Sequence, residues 1–309
     1  MSSFSSYSYF NGKIVPSSEA KISIFTPAMR YAATVFEGIR AYWNETEKQL
    51  YVFRLREHCE RLLESMKMMG MDEHSFTRED LEEAVFSLIK KENCREDIHV
   101  LQMVFVDGIG EVHATSPAKM GIGLRRRERM AESFDAGLHV NISSWSRIAD
   151  NSMPARIKCT ANYHNGRLAM IEAKKNGYHN TIILNQRGKV SETPGACVFL
   201  SRKGVLSTPS ITSDILESIT RDTVLKLWED YSGVKILERD VDRTELYVSD
   251  EVFICGTAYE ITPVTYIDKM PVGNGKVGPL TKKLQDLYFD ICKGINKEHM
   301  EWRAAVYSI

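Results

Sequence analysis

The chain has no long apolar run, no closely paired cysteines and almost no net charge, and each shortage removes a class of function. No stretch of its 309 residues approaches the roughly 20 apolar residues needed to cross a bilayer. Residues Met1 to Ser8 are rich in Ser and Tyr and lack the basic and apolar segments of an export signal, so a cytoplasmic protein is expected. Its six cysteines are scattered without a C-x-x-C pair, which points to reduced, buried thiols. A formal net charge of −1 gives no general attraction to nucleic acid or to an acidic membrane surface. The eight histidines form no H-x-x-x-H or H-E-x-x-H pair, so no metal is expected. A G-x-S-x-G elbow, a P-loop, internal repeats and low-complexity tracts are also missing, which argues against a hydrolase of that type, a nucleotide-triphosphate site and a solenoid. Gly273 to Gly278 does fit G-x-G-x-x-G. Pro279 follows at once and only about one helix of chain remains, so the segment reads as a loop rather than a dinucleotide site.

What is present is an ordinary globular composition, 43% hydrophobic and 26% charged, on a chain long enough for two domains. Asn11-Gly12 between Tyr7–Phe10 and Ile14-Val15 predicts a hairpin. Strand-like runs follow at 34–42, 50–53 and 98–106. Leu55, Cys59, Leu62, Met66 and Met69 recur at helical spacing and Gly70 stops them. Thr77 predicts the N-cap of a helix that runs to about Lys91. Further helices are expected near 162–176, 213–231 and 280–293, the first two closed by Gly177 and Gly233. The pattern indicates an α+β chain with a small domain over 1–123, an interdomain loop over 124–136 and a larger domain over 137–309. The loop would contain the run Arg125-Arg126-Arg127-Glu128-Arg129, which reads either as a solvated linker face or as cations over a pocket.

Several blocks, in order, carry a more specific message. They are Tyr31-Ala-Ala-Thr-Val-Phe36-Glu37-Gly38-Ile39-Arg40, Arg56-Glu57-His58-x-x-Arg61-Leu62 and Lys158-x-x-x-Asn162-Tyr163. Next come Ser191-Glu192, Ile219-Thr220-Arg221-Asp222, then Gly256-Thr257-Ala258-x-Glu260-Ile261-Thr262-Pro263-Val264, and last Gly278-Pro279-Leu280-Thr281. Together they resemble the branched-chain amino acid aminotransferases, members of the fold-type IV enzymes that depend on pyridoxal 5'-phosphate. The resemblance implies a small domain plus a larger domain with the cofactor at their interface, and a homodimer. It implies transfer of an amino group from an L-amino acid to a 2-oxo acid such as 2-oxoglutarate, by a ping-pong mechanism. Lys158 matches the Schiff-base lysine, whose amine must be able to lose its proton and then to move one. Glu192 matches the carboxylate that keeps the cofactor's ring nitrogen protonated, and Tyr163 the phenol that hydrogen-bonds the ring oxygen. Arg61, Ile219, Thr220 and Thr257 match the phosphate-binding set, with N–H groups at a helix start. Tyr31 and Phe36 match the aromatics around the substrate side chain, and the turn at Thr257-Ala258 matches the backbone that binds its carboxylate.

The chain departs from the family where the substrate is handled. The usual Tyr-x-Arg-Pro strand segment is His99-Val100-Leu101-Gln102 here, and Glu-Gly-x-Gly-Glu-Asn is Glu192-Thr193-Pro194-Gly195-Ala196-Cys197. Cofactor residues match and substrate residues differ. The alternatives are an enzyme of changed specificity on the same scaffold (for polar or acidic amino acids, D-amino acids or amines, or an aminodeoxychorismate-lyase-like enzyme) or a non-catalytic cofactor-binding relative.

Overall fold

The computed structural model describes residues 4–71, 76–127 and 131–307, with the backbone alone for 131–133. The chain divides into two compact units, one of Met1–Glu128, Ile157–Ala161 and Asp290–Ile309 and the other of Arg129–Arg156 and Asn162–Phe289. The first takes in two segments that the sequence pattern assigns to the second domain.

In the first unit, β1 (Tyr7–Phe10) and β2 (Lys13–Pro16) form the expected hairpin, with Asn11 and Gly12 at φ 50° and 84°, the sign that its tight turn demands. A one-turn helix α1 (Pro27–Tyr31) leads into the long strand β3 (Thr34–Asn44) and its partner β4 (Gln49–Phe53). Helix α2 (Leu55–Met68) ends before Gly70, and α3 (Arg78–Glu92) starts at Thr77, whose side chain and that of Asp80 cap each other's backbone. Strands β5 (Ile98–Val106) and β6 (Ala118–Arg126) follow. Among the described residues these strands and a terminal strand, Arg303–Ala305, make a sheet whose centre runs β4-β3-β5-β6-β1. One face of β3, β5 and β6 presents Val35, Ile39, Val100, Val104 and Ile122 to Leu62 and Met66 of α2 and Leu81 and Leu88 of α3. Side chains of this size stabilise by roughly 1.5–3 kcal/mol each when fully buried.

The interdomain loop predicted from residue 124 needs correction. Leu124 and the first two arginines of the run finish β6, with Ile98 paired to Arg126 and His99 to Arg125. The polar end of an edge-exposed strand and a linker look alike in sequence, and only the ladder separates them. Arg129 lies outside the described residues.

The second unit holds α4 (Ala131–Ala136), β7 (Leu138–Ser146), α5 (Tyr163–Lys175), β8 (Asn180–Leu184), β9 (Cys197–Arg202) and β10 (Val205–Pro209). It continues through α6 (Ile219–Ser232), β11 (Leu237–Arg239), α7 (Arg243–Tyr247), β12 (Glu251–Gly256), β13 (Glu260–Ile267) and the start of α8 (Pro279–Cys292). Its sheet mixes directions: β9, β10, β12 and β13 pair antiparallel, and β7 pairs parallel with β13 and with β8. Val140, Ile182, Val198, Leu200, Ile254 and Val264 build its core. Helix α6 starts six residues later than the pattern suggests. Ser210, Thr212 and Ser213 hydrogen-bond one another in a turn, and Ser218 supplies the cap by accepting from the Arg221 N–H at 3.2 Å.

Candidate active site

Lys158 belongs to the first unit because a five-residue segment completes an edge of β3. The Phe36 N–H donates to the Lys158 carbonyl at 3.0 Å and the Thr160 N–H to the Thr34 carbonyl at 3.0 Å. The Lys158 N–H donates to Ser65 Oγ of α2 at 3.2 Å. The backbone on both sides of the lysine is therefore fixed, and its half-buried amine stands 4.8 Å from the centre of the Phe36 ring. An aromatic face at this distance holds the end of the lysine side chain in place.

Behind Phe36, on the core face, lies a charged group to which the sequence pattern gives no role. Glu37 is fully buried and accepts from Arg61 Nε and a second guanidinium nitrogen, both at 2.7 Å, and pairs with His58 Nδ1 at 2.6 Å. Burial by itself pushes the Glu37 carboxyl up, but Arg61 and His58 overcome it and hold the group at about 2. Burial also pushes His58 below its ordinary value, against the pull of Glu37. Arg61, expected at the phosphate, is thus bidentate to a buried carboxylate as well. The signal is available in sequence: His58 and Arg61 are three apart on one helix face, and Glu37 alternates inward with Val35 and Ile39. At the end of α1, Tyr31 donates to Glu111 at 3.2 Å and accepts from Arg30.

In the second unit the predicted residues lie on turns and at helix starts. Glu192, 4% exposed, accepts from Arg147 at 2.7 Å and from the Leu216 N–H at 3.3 Å to each oxygen, with Cys197 Sγ 4.0 Å away. Arg147 is not among the expected residues, since nothing in its local pattern distinguishes it from a surface arginine. The turn after Glu192 is wedged between two glycines. A Cβ on Gly166 of α5 would come within 2.9 Å of Pro194, and one on Gly256 would come within 2.9 Å of the Gly195 carbonyl. Those contacts fix the start of α5, where Tyr163 sits, and the turn that carries Thr257 and Ala258, closed by a hydrogen bond from the Tyr259 N–H to the Gly256 carbonyl. Ile219 and Thr220 occupy the first turn of α6, whose leading N–H groups have no partner within a helix.

A family model described as amino-transferase class IV matches residues 34–267. The chain belongs to the class IV amino-transferases. It is 40% identical over 97% of its length to a probable branched-chain-amino-acid aminotransferase of Aquifex aeolicus, and covers 97% of that protein. It superposes with a TM-score of 0.92, at 39% identity, on the crystal structure of the branched-chain amino acid aminotransferase of Thermobaculum terrenum in its PLP form, covering 99% of this chain and 100% of that one. The crystal structure of a branched-chain aminotransferase from the thermophilic archaeon Thermoproteus uzoniensis with norvaline matches with a TM-score of 0.91 at 36% identity, over 98% of this chain and 100% of that one. The fold is that of these fold-type IV enzymes, and the activity is transamination dependent on pyridoxal phosphate. Matches of this extent favour an active transaminase over a lyase or a non-catalytic binder.

The class IV aminotransferase's own residues fit the cofactor. A ring that must stay protonated at nitrogen calls for a buried carboxylate, and Glu192, paired with Arg147, is such a group. A phosphate calls for first-turn N–H groups of a capped helix, and α6 offers Ile219 and Thr220.

Proposed function

We propose that the chain moves the amino group of a branched-chain L-amino acid to a 2-oxo acid, with Lys158 as the residue that carries the cofactor and handles the proton. Pyridoxal phosphate supplies the aldehyde that takes the amine and the ring that takes the electron pair released at Cα. Lys158 Nζ would hold the cofactor through its aldehyde and, when free, would take and move the proton at the substrate Cα. Glu192, paired with Arg147, would stabilise the proton on the ring nitrogen, and Tyr163 would donate to the ring oxygen. Arg61, Ile219, Thr220 and Thr257 hold the phosphate, Arg61 while also bound to Glu37. Tyr31 and Phe36 flank the donor's side chain, and the Thr257-Ala258 turn binds its carboxylate. After the first half-reaction the 2-oxo acid product leaves and a second 2-oxo acid enters the same site.

The observation that carries the reading is the placing of the Lys158 amine over the Phe36 ring on a backbone tied to β3 and α2. The enzyme works as a cytoplasmic homodimer in this reading. Exposed Phe25, Met29, Ile109 and Val112 support a partner surface, since Arg30 donates to the Gly110 carbonyl and so ties α1 to that loop. Among the described residues, no helix is long and apolar enough to cross a membrane.

The test is spectroscopic. L-leucine, L-isoleucine or L-valine, added singly without acceptor to the cofactor-loaded protein, should abolish the cofactor's visible absorption band, and Lys158→Ala should lack covalent attachment. A band that responds only to D-amino acids or simple amines would refute the donor assignment. Covalent attachment retained in Lys158→Ala would refute the role of the lysine.

A further inference from the structure

At the end where β5 begins and β6 stops, the two faces of the first sheet carry different side chains. Outward, Gly38, Leu101 and Gly123 form one cross-strand row, and Arg40, His99 and Arg125 the next. Inward, Val100 pairs with Leu124 and Ile98 with Arg126, so the second arginine of the run stands on the helix side. There the strand ends meet the C-terminal end of α3 and the segment Phe4–Ser6 around a cavity of about 330 Å³. The strand residues that line it alternate with those of the Phe36 face, where the Lys158 amine stands. The cavity is therefore distinct from the candidate active site.

Its lining combines three kinds of group. Buried Ile98 and Leu124 give it an aliphatic floor, with exposed Phe4 at the rim. Glu92 of α3 accepts from the Tyr7 N–H at 2.6 Å, and no cation among the described residues pairs with it. The last carbonyls of α3 add partial negative charge beside it. Exposed Arg126 binds Glu96 at 3.0 Å, and a guanidinium carries more donors than one carboxylate engages. Cys94 also borders the cavity. Burial, then Glu92 and Glu96, push its thiol up to about 11, so it serves as neutral wall rather than as a nucleophile.

A carboxylate without a counter-charge and a guanidinium thus share one aliphatic floor. We infer that this cavity binds a free α-amino acid with an aliphatic side chain, its ammonium on Glu92, its carboxylate on Arg126 and its side chain over Ile98 and Leu124. Such a ligand matches each part of the lining. A simple amine would leave Arg126 without an anion, and a carboxylic acid would set no positive charge against Glu92. The cavity is at the small end of ligand sites, which suits a molecule of the size of leucine. An amino acid held there is an effector and not a reactant, because the sheet separates it from the Lys158 amine. The inference goes beyond the aminotransferase reading and does not depend on it.

Titration calorimetry of L-leucine tests this, with cofactor-loaded protein that has first been treated with excess donor and dialysed. The active site then offers no aldehyde to a second amine. Leucine should bind with a dissociation constant on the order of 1 mM. Arg126→Gln, and Glu92→Gln, which keeps an acceptor for the Tyr7 N–H, should each weaken binding about tenfold, as for loss of one charge-assisted hydrogen bond. Both variants should unfold at the wild-type midpoint. 3-Methylbutan-1-amine and 4-methylpentanoate, each short of one charge, should bind about tenfold more weakly than leucine. No binding of leucine, or binding unchanged in both variants, would overturn the assignment. A loss confined to Glu92→Gln would overturn the amino-acid class in favour of a simple amine. A cofactor band that leucine never bleaches would defeat the transaminase reading instead, and the two variants would still decide the cavity.

Discussion

The two faces of the sheet formed by β3, β5 and β6 use alternate residues of the same strands for opposite ends. Inward, Glu37 is sealed at 0% exposure against Arg61 and His58, each group tied to the next. Outward, one residue along, Phe36, Leu101 and Arg125 are partly or well exposed, and Arg125 has no acidic partner among the described residues. A period of two makes such a division available to any strand covered on one side. It teaches why the two sets of residues tolerate change so differently. A substitution at Glu37 must be matched by its two partners, while one on the open face meets fewer neighbours.

The contrast is easiest to break from the sealed side. Glu37→Gln removes the charge that buried Arg61 and His58 hydrogen-bond, and should destabilise the protein by about 3–5 kcal/mol, read as a lower midpoint in thermal or urea unfolding. If that variant unfolds like the wild type, the inner network is not structural.

Acid should next reveal one buried group on each face, Glu37 on the sealed one and His99 on the other. Both Glu37 and His99 have folded-state values below their unfolded ones, about 2 against 4.5 and about 3 against 6.5. In each case the unfolded chain binds the proton first, so stability is greatest above the unfolded value and declines as pH falls towards the folded one. A first decline below about pH 6.5 should carry the His99 contribution and a steeper one below 4.5 that of Glu37, each at most ~1.4 kcal/mol per pH unit per group. His99→Gln should reduce the first arm, to which His58 also contributes, and leave the second unchanged in urea titrations taken at stepped pH. A first arm unaltered in that variant would assign it elsewhere.

The smallest effect belongs to the open face. Leu101→Ala should move stability by no more than about 0.5 kcal/mol, despite removing a branched side chain from the middle of a strand. A loss of several kcal/mol would show that Leu101 is core and would remove the distinction between the faces.

Much of this is legible in the sequence. The hairpin at Asn11-Gly12, the extent of β5, the Thr77 cap and the glycine stops follow from turn geometry, periodicity and capping, all short-range effects. The motif blocks single out Lys158, Glu192 and Tyr163 as candidates because a cofactor imposes residue types at a fixed spacing. Arg147 and the inner role of Glu37 escape, since a buried ion pair joins residues far apart in sequence, each of which looks alone like a surface charge. The arginine run escapes for the converse reason: a strand that ends in solvent has the composition of a linker.

The sequence by itself determined the elements and the chemistry, because helix and strand periods, caps and a cofactor's demands are written within a few residues of one another. Tertiary structure alone decided that residues 157–161 complete the edge of β3, that Arg147 meets Glu192 across 45 positions, and that Leu101 lies bare between two glycines with Arg125 one row beyond. Those are matters of strand register and long-range hydrogen bonding, which depend on which distant segments pack together.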